Sequence, residues 1–270
     1  MSLMEKLVEL IRATSTSLPE DVERALRRAV RKERRGSSAA MVLSTVLENC
    51  ALARRASTPL CQDTGTLTFF VAAGLRRRVT PALVKKAVAK ATELGYLRRN
   101  TIDSVTGRSY DDNCCEGAPV IHYCDDRAGV TLIMKGGGSE NMSRQYSLPC
   151  AELGAGRDLA GVRRCVLDAV QKAQGYGCAP GVLGVCIGGD RATGFEVAKE
   201  QLLRSLDEKP SAFEKQLLGE ANALGVGPMG LGGATTLLGV KVASRSRVPA
   251  SFFVTVAYMC WATRRRTVEL

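Results

Sequence analysis

Ten cysteines stand against a single histidine in this 270-residue chain. That ratio excludes sites that need two or more imidazoles from the chain, HExxH zinc sites and facial triads among them. A metal bound here would sit on thiolates. No CxxC spacing occurs, which argues against zinc ribbons and thioredoxin-like chemistry. The cysteines sort by context. Cys50 and Cys165 lie inside helical patterns and Cys124 ends a β-like run, so these read as small buried hydrophobes. Cys61, Cys178 and Cys260 differ. Cys61 opens the polar turn Leu60-Cys61-Gln62-Asp63-Thr64-Gly65-Thr66, Cys178 sits in Gly177-Cys178-Ala179-Pro180-Gly181, and Cys260 follows a strand into Trp261. Thiols at strand ends can converge although far apart in sequence, but spacing alone does not establish that these do.

The 27 glycines add a second kind of chemistry. Lys135-Gly136-Gly137-Gly138-Ser139, Gly188-Gly189 and Gly225 to Gly233 are loops in which successive N–H groups can cradle an anion; Gly188-Gly189 also precedes an expected helix start. For any one cluster, tight packing is the simpler reading. Gly225-Val226-Gly227-Pro228-Met229-Gly230 satisfies GxGxxG but reads as a decoy, because a helix rather than a strand precedes it and Pro interrupts it. No Gly-Lys-Ser/Thr exists, so there is no P-loop. Arg98 and Arg99, beside the turn at Asn100, suit a bidentate carboxylate contact. His122 lies in an apolar strand and reads as a core histidine.

The elements that must position these residues follow from periodicity and caps. Leu3, Leu7, Leu10 and Ile11 mark a first helix. Further helices are expected over 22–35, 38–53, 81–94, 158–174, 192–205 and 211–224, with Thr80-Pro81 as an N-cap and first-turn proline. Strands are expected over 67–72, 119–124, 129–134, 182–187, 237–243 and 251–258. Asp125 to Ala128 should join two of them as a hairpin. No internal repeat or linker is evident. The fold class is α+β: a single mixed domain over 1–270, with a helical N-terminal part followed by mixed sheets with packed helices. Met1-Ser2-Leu3 ahead of Met4 has the form of a cloning remnant.

Composition narrows the function. Lys plus Arg is 38 and Asp plus Glu 27, a net charge of +11. A nucleic-acid binder would show basic stripes with interleaved aromatics; aromatics are 5% and not interleaved. The runs Lys32 to Arg35, Arg76 to Arg78 and Arg264 to Arg266 read as solvated surface, and the positive field as steering for small anions. The N-terminus carries an early Glu and no long apolar run, unlike a secretory signal, so a reducing cytoplasm is expected. The apolar run from Ala250 to Ala262 is too short for a membrane span.

At these residues the chain resembles the class I, iron–sulfur fumarate hydratases and L(+)-tartrate dehydratases. The resemblance rests on Pro59-Leu60-Cys61-Gln62-Asp63-Thr64-Gly65-Thr66, Leu97-Arg98-Arg99-Asn100, Lys135-Gly136-Gly137-Gly138-Ser139-Glu140-Asn141-Met142, Gly177-Cys178-Ala179-Pro180-Gly181, Gly188-Gly189, Gly227 to Gly233 and Tyr258-Met259-Cys260-Trp261-Ala262. It covers nearly the whole chain and points to the α-subunit, or N-terminal domain, of such enzymes. It implies a 4Fe–4S cluster on Cys61, Cys178 and Cys260 with one open iron, and reversible loss of water from a 2-hydroxy dicarboxylate, malate to fumarate first and L(+)-tartrate as the alternative. It implies Asp63 as an acid–base group. Gln62, Arg98, Gly136, Gly137 and Gly138 would contact substrate. The base belongs to the family's β part, so a β subunit is expected, in a heterotetramer of two α and two β. A basic module binding nucleic acid or acidic partners without catalysis is the competing class. Ala179 and Arg99 stand where the pattern has Pro, and Cys114-Cys115 where it has no thiols.

Overall fold

A computed structural model describes all 270 residues. In chain order the elements are α1 Leu3–Thr16, α2 Glu20–Lys32, α3 Ser38–Ala56, β1 Thr66–Ala72, α4 Pro81–Glu93, β2 Thr101–Ile102, β3 Ser109–Tyr110, β4 Val120–Cys124, β5 Val130–Lys135, α5 Gly137–Asn141, β6 Arg144–Ser147, α6 Leu159–Ala173, β7 Gly181–Gly188, α7 Arg191–Gln201, α8 Ala212–Ala223, β8 Leu237–Arg245, β9 Phe253–Met259 and β10 Arg264–Val268. This is the α+β mixture expected, with three helices leading. Contacts group the chain into two units: one of 1–19, 48–137 and 262–270, the other of 20–47 and 138–261. No helix is long and apolar enough to cross a membrane.

In the first unit the strand order is β10-β5-β1-β4, with β1 parallel to β4 and antiparallel to β5, and β5 antiparallel to β10. β1 is central because Leu67, Phe69, Phe70 and Val71 bury both of its faces, whereas every residue of the edge strand β4 is half-buried. The expected β4–β5 hairpin therefore does not form. β1 lies between the two, and the Ala72 N–H closes the end of the sheet by donating to the Gly129 carbonyl at 2.9 Å. α4 begins as expected, with the Leu83 N–H donating to Thr80 Oγ1 and Pro81 in the first turn. Its buried face, Val84, Ala87, Val88 and Ala91, packs with Leu7, Leu10 and Ile11 of α1 on the sheet. Ser2 and Glu5 form a reciprocal capping box that starts α1.

In the second unit the order is β6-β9-β7-β8, with β7 parallel to β8 and antiparallel to β9, and β9 antiparallel to β6. β1, β4 and β5 of the first sheet are thus wired as β7, β8 and β9 are in the second, although no sequence repeat marks it. Val162, Cys165, Val166, Ala169 and Val170 of α6 and Leu217 and Ala221 of α8 pack against this sheet. Asp158 caps α6 and a Ser211–Glu214 capping box starts α8.

Candidate functional site

The Cys61 turn is fixed at both ends before any chemistry is considered. The Leu60 N–H donates to the Ser15 carbonyl at 3.0 Å, and Asn49 Nδ2 donates to the Leu60 carbonyl at 3.0 Å. Inside the turn, the Asp63 N–H donates to Cys61 Sγ at 3.4 Å. Thr64, 1% exposed, exchanges two bonds with the Arg98 backbone: its hydroxyl donates to the carbonyl at 2.8 Å and accepts the N–H at 3.0 Å. Gly65 leaves the turn at φ +73°, and a Cβ there would overlap the Lys135 carbonyl. Only glycine satisfies both conditions. The consequence falls on the neighbouring loop. A Cβ on Gly136 would lie 2.9 Å from Asp63 Oδ2, and one on Gly137 3.7 Å from it. The Asp63 carboxylate therefore rests on bare glycine backbone.

Cys61, Asp63, Gly136, Gly137 and the Arg98 backbone are thus brought together within the first unit. Gln62 and the Arg98 side chain are exposed. A cavity of about 300 Å³ opens beside the turn, lined by Asp63, Gly65, Thr101, Asn113, Pro119 and Gly137 among others, a volume at the low end for small-molecule pockets. Gly138 is exposed and a Cβ there would meet nothing.

Cys178 and Cys260 lie in the second unit. The Trp261 N–H, next to Cys260, donates to the Cys178 carbonyl at 3.2 Å, which ties the two segments. Cys178 is exposed at φ +51°, while Cys260 is buried. The Cys178 loop rests on the Tyr258 ring: Cβ atoms on Gly177 and Gly181 would approach ring carbon Cζ to 2.7 and 2.6 Å. Burial, then the negative charge of Cys260 and Cys178, pushes the Tyr258 phenol up. Its buried hydroxyl has no hydrogen-bond partner.

The other thiols separate by environment. Cys50 and Cys165 are buried, as expected, and burial pushes Cys165 up to about 12 and Cys186 up as well. Cys124 does end β4 but is only half-buried. Cys114 is pushed up to about 11 by burial and then by Asp112, so its thiol is held protonated rather than activated.

One anion-cradle expectation changes. Gly188-Gly189 does precede a helix, but the Asp190 carboxylate caps it, accepting the Ala192 and Thr193 N–H groups at 2.8 and 3.0 Å. The helix end thus already carries its anion. At Gly225 to Gly230, as read from the sequence, a helix precedes; the string itself ends in a single 3₁₀ turn, Pro228–Gly230, and a strand, Leu237–Arg245, is the next element, so the GxGxxG string has no dinucleotide-binding context. His122 is half-buried on the edge strand and stacks on Phe70, centroids 5.2 Å apart.

Two residues escaped the sequence reading. Asn113, 1% exposed, accepts from the Asn100 and Thr101 N–H groups and the Thr101 hydroxyl, and donates to Thr92 Oγ1 and the Arg98 carbonyl. It shapes the loop that carries Arg98. Arg264 overturns the reading of Arg264 to Arg266 as surface: it is 1% exposed, Arg265 is 8% exposed, and only Arg266 faces solvent. Arg264 Nη2 donates to the Asp63 carbonyl at 2.9 Å, while its Nε and Nη1 meet no acceptor. The run belongs to β10; the alternation of a strand following Cys260-Trp261-Ala262-Thr263 was the available signal.

A protein of Geobacillus stearothermophilus, provisionally named a class I fumarate hydratase, is 49% identical over 99% of this chain, which spans 55% of its length. One of Methanocaldococcus jannaschii, provisionally named L(+)-tartrate dehydratase subunit alpha, is 34% identical over 98% of this chain and 96% of its own. The L(+)-tartrate dehydratase subunit alpha of Escherichia coli K12 is 29% identical over 98% and 91%. Residues 4–269 match the family described as Fumarate hydratase (Fumerase), and with relatives this similar along its whole length the chain belongs to that family.

Proposed function

We propose that this chain is the α-type part of a hydro-lyase that reversibly dehydrates a 2-hydroxy dicarboxylate, malate to fumarate first. The observation that carries this reading is the Asp63 turn, whose carboxylate, neighbouring thiol and glycine platform form one constellation in a chain matched to the family over residues 4–269. Cys61, Cys178 and Cys260 would hold a 4Fe–4S cluster. The donor set suits it, since soft thiolates select iron–sulfur groups. So does the polar surround: Arg264 beside the Cys61 turn and Tyr258 beneath the Cys178 loop are buried donors with groups unmet by protein acceptors. Bound, such a cluster supplies Lewis acidity at an open iron, which makes hydroxide a tolerable leaving group.

The chain's own residues then have distinct tasks. Asp63, fixed against Gly136, would move a proton at the departing hydroxyl oxygen. Gln62 on the turn and Arg98 on the segment bonded to Thr64 are exposed, and Arg98 would engage a substrate carboxylate with two parallel N–H bonds. The amides of Gly136, Gly137 and Gly138 would take the remaining oxygens. The proton from carbon needs a base, which we assign to a β-type partner; the name "subunit alpha" on the M. jannaschii and E. coli relatives supports one, and we extend this to two α and two β. The field of the +11 chain would draw the dianion in. The same relatives favour a second reading, with L(+)-tartrate as substrate.

The test is anaerobic co-expression with the β partner, iron and sulfide quantitation, and a dehydration assay across malate, tartrate and citramalate. Serine at Cys61, Cys178 or Cys260 should abolish iron uptake, and serine at Cys50 should not. Full iron content in the Cys260→Ser variant would sink the ligand assignment.

A further inference from the structure

A buried cation with nothing to neutralise it is expensive: even after relaxation a desolvated ion costs several kcal/mol unless paired. Arg264 is such a cation. It is 1% exposed, it spends one of its five N–H bonds on the Asp63 carbonyl, and its Nε and Nη1 reach no acceptor. A strand position opposite Met134 would be filled more cheaply by an apolar side chain. Nor is the single bond enough to explain a guanidinium, because one hydrogen bond to a backbone carbonyl does not offset the desolvation of a buried charge. Its location supplies the reason. Asp63 is the residue whose N–H reaches Cys61 Sγ and whose carbonyl holds Arg264, so the guanidinium lies against the turn that carries thiol and carboxylate.

We propose that Arg264 is a fixed countercharge for an anion bound at the Cys61–Asp63 turn, and that it positions Asp63 through the backbone while its remaining N–H groups face that anion. The inference deepens the function proposed above and rests on it. Two sources share the chemistry: an iron–sulfur group held by Cys61, which is anionic with its thiolates, and a carboxylate of the substrate. Either would be attracted through low-dielectric surroundings, where one charge counts for far more than at the surface.

The test compares wild type, Arg264→Met and Arg264→Lys as full-length chains. Without iron, Arg264→Met should melt at or above the wild-type temperature, because it removes a buried unpaired charge at the cost of one hydrogen bond. A structural arginine would behave oppositely. On anaerobic reconstitution with iron and sulfide, the first source predicts loss of iron retention by about tenfold in Arg264→Met, and a midpoint potential displaced to more negative values in whatever cluster survives. The second predicts unchanged iron and potential, with succinate bound about tenfold more weakly by the loaded protein. In both cases Arg264→Lys should recover part of the loss. Destabilisation of the iron-free Arg264→Met chain with Arg264→Lys equally affected would overturn the proposal. So would wild-type iron content, potential and succinate affinity in Arg264→Met. Failure of the wild-type chain itself to take up iron would instead count against the function proposed above.

Discussion

Alanine at Gly65 and at Gly136 should have opposite consequences, although the two residues touch the same site. At Gly65 the backbone is left-handed at φ +73° and the new methyl would run into the Lys135 carbonyl, with the Gly136 nitrogen 2.7 Å away. An L-residue in that conformation costs about 1–2 kcal/mol, and overpacking against immovable backbone about 1–3 more. A loss of roughly 2–5 kcal/mol follows, and at about 2–4 °C per kcal/mol for a chain of this size the melting temperature should fall by about 4–20 °C. At Gly136 no positive φ is involved, and the nearest atom is Asp63 Oδ2 at 2.9 Å, the end of a side chain. The carboxylate can retreat toward ordinary contact beyond 3.4 Å, so stability should change by less than about 1 kcal/mol. The retreat falls on Asp63, the proposed acid–base group, where misplacement by 1 Å can cost about a hundredfold; a drop of about tenfold in kcat is expected for half that displacement. Thermal melts of the iron-free chains and turnover by the loaded enzyme separate the two. Equal melting losses in both variants would refute the view that Gly65 serves the turn while Gly136 serves the carboxylate, as would a Gly65→Ala chain melting with wild type.

Asn113→Ala should destabilise by roughly 1–3 kcal/mol in denaturant titrations, since it removes one buried and several part-buried hydrogen bonds at once, and limited proteolysis should then cut first between Arg98 and Arg108. Gly177→Ala should also destabilise by about 1–3 kcal/mol, because the methyl would enter the Tyr258 ring; a melt matching wild type would show that the loop does not rest on that ring. For Cys114, the folded-state value of about 11 lies above the ordinary 9.0. Stability tied to its protonated thiol is therefore intact below pH 9 and lost as pH rises toward 11. Denaturant midpoints at pH 8 and 10.5 should diverge more in wild type than in Cys114→Ser, and Cys114 should react slowly with alkylating reagents at neutral pH.

Much of this protein was legible before any coordinates. Caps and periodicity located α1, α4, α6 and α8, because an N-cap hydroxyl and an apolar stripe act within a few residues of where they are written. The motif around Cys61 and the glycines after Lys135 marked the candidate site for the same reason: a thiol, a carboxylate and bare backbone stand close together there, and each string is short. What the sequence left undetermined depends on contacts between distant segments. That β1 separates β4 from β5 is decided by which strand can bury both faces, not by the turn between them. The shared wiring of the two sheets has no trace in residue order, since pairing constrains hydrophobicity and register rather than identity. Arg264 shows the difference most plainly. In a run of three arginines, composition predicts solvent; only the β10–β5 register puts the first of them inside, with its guanidinium on the Asp63 carbonyl. Local chemistry is written in local sequence, while the burial of a charge is a property of everything packed around it.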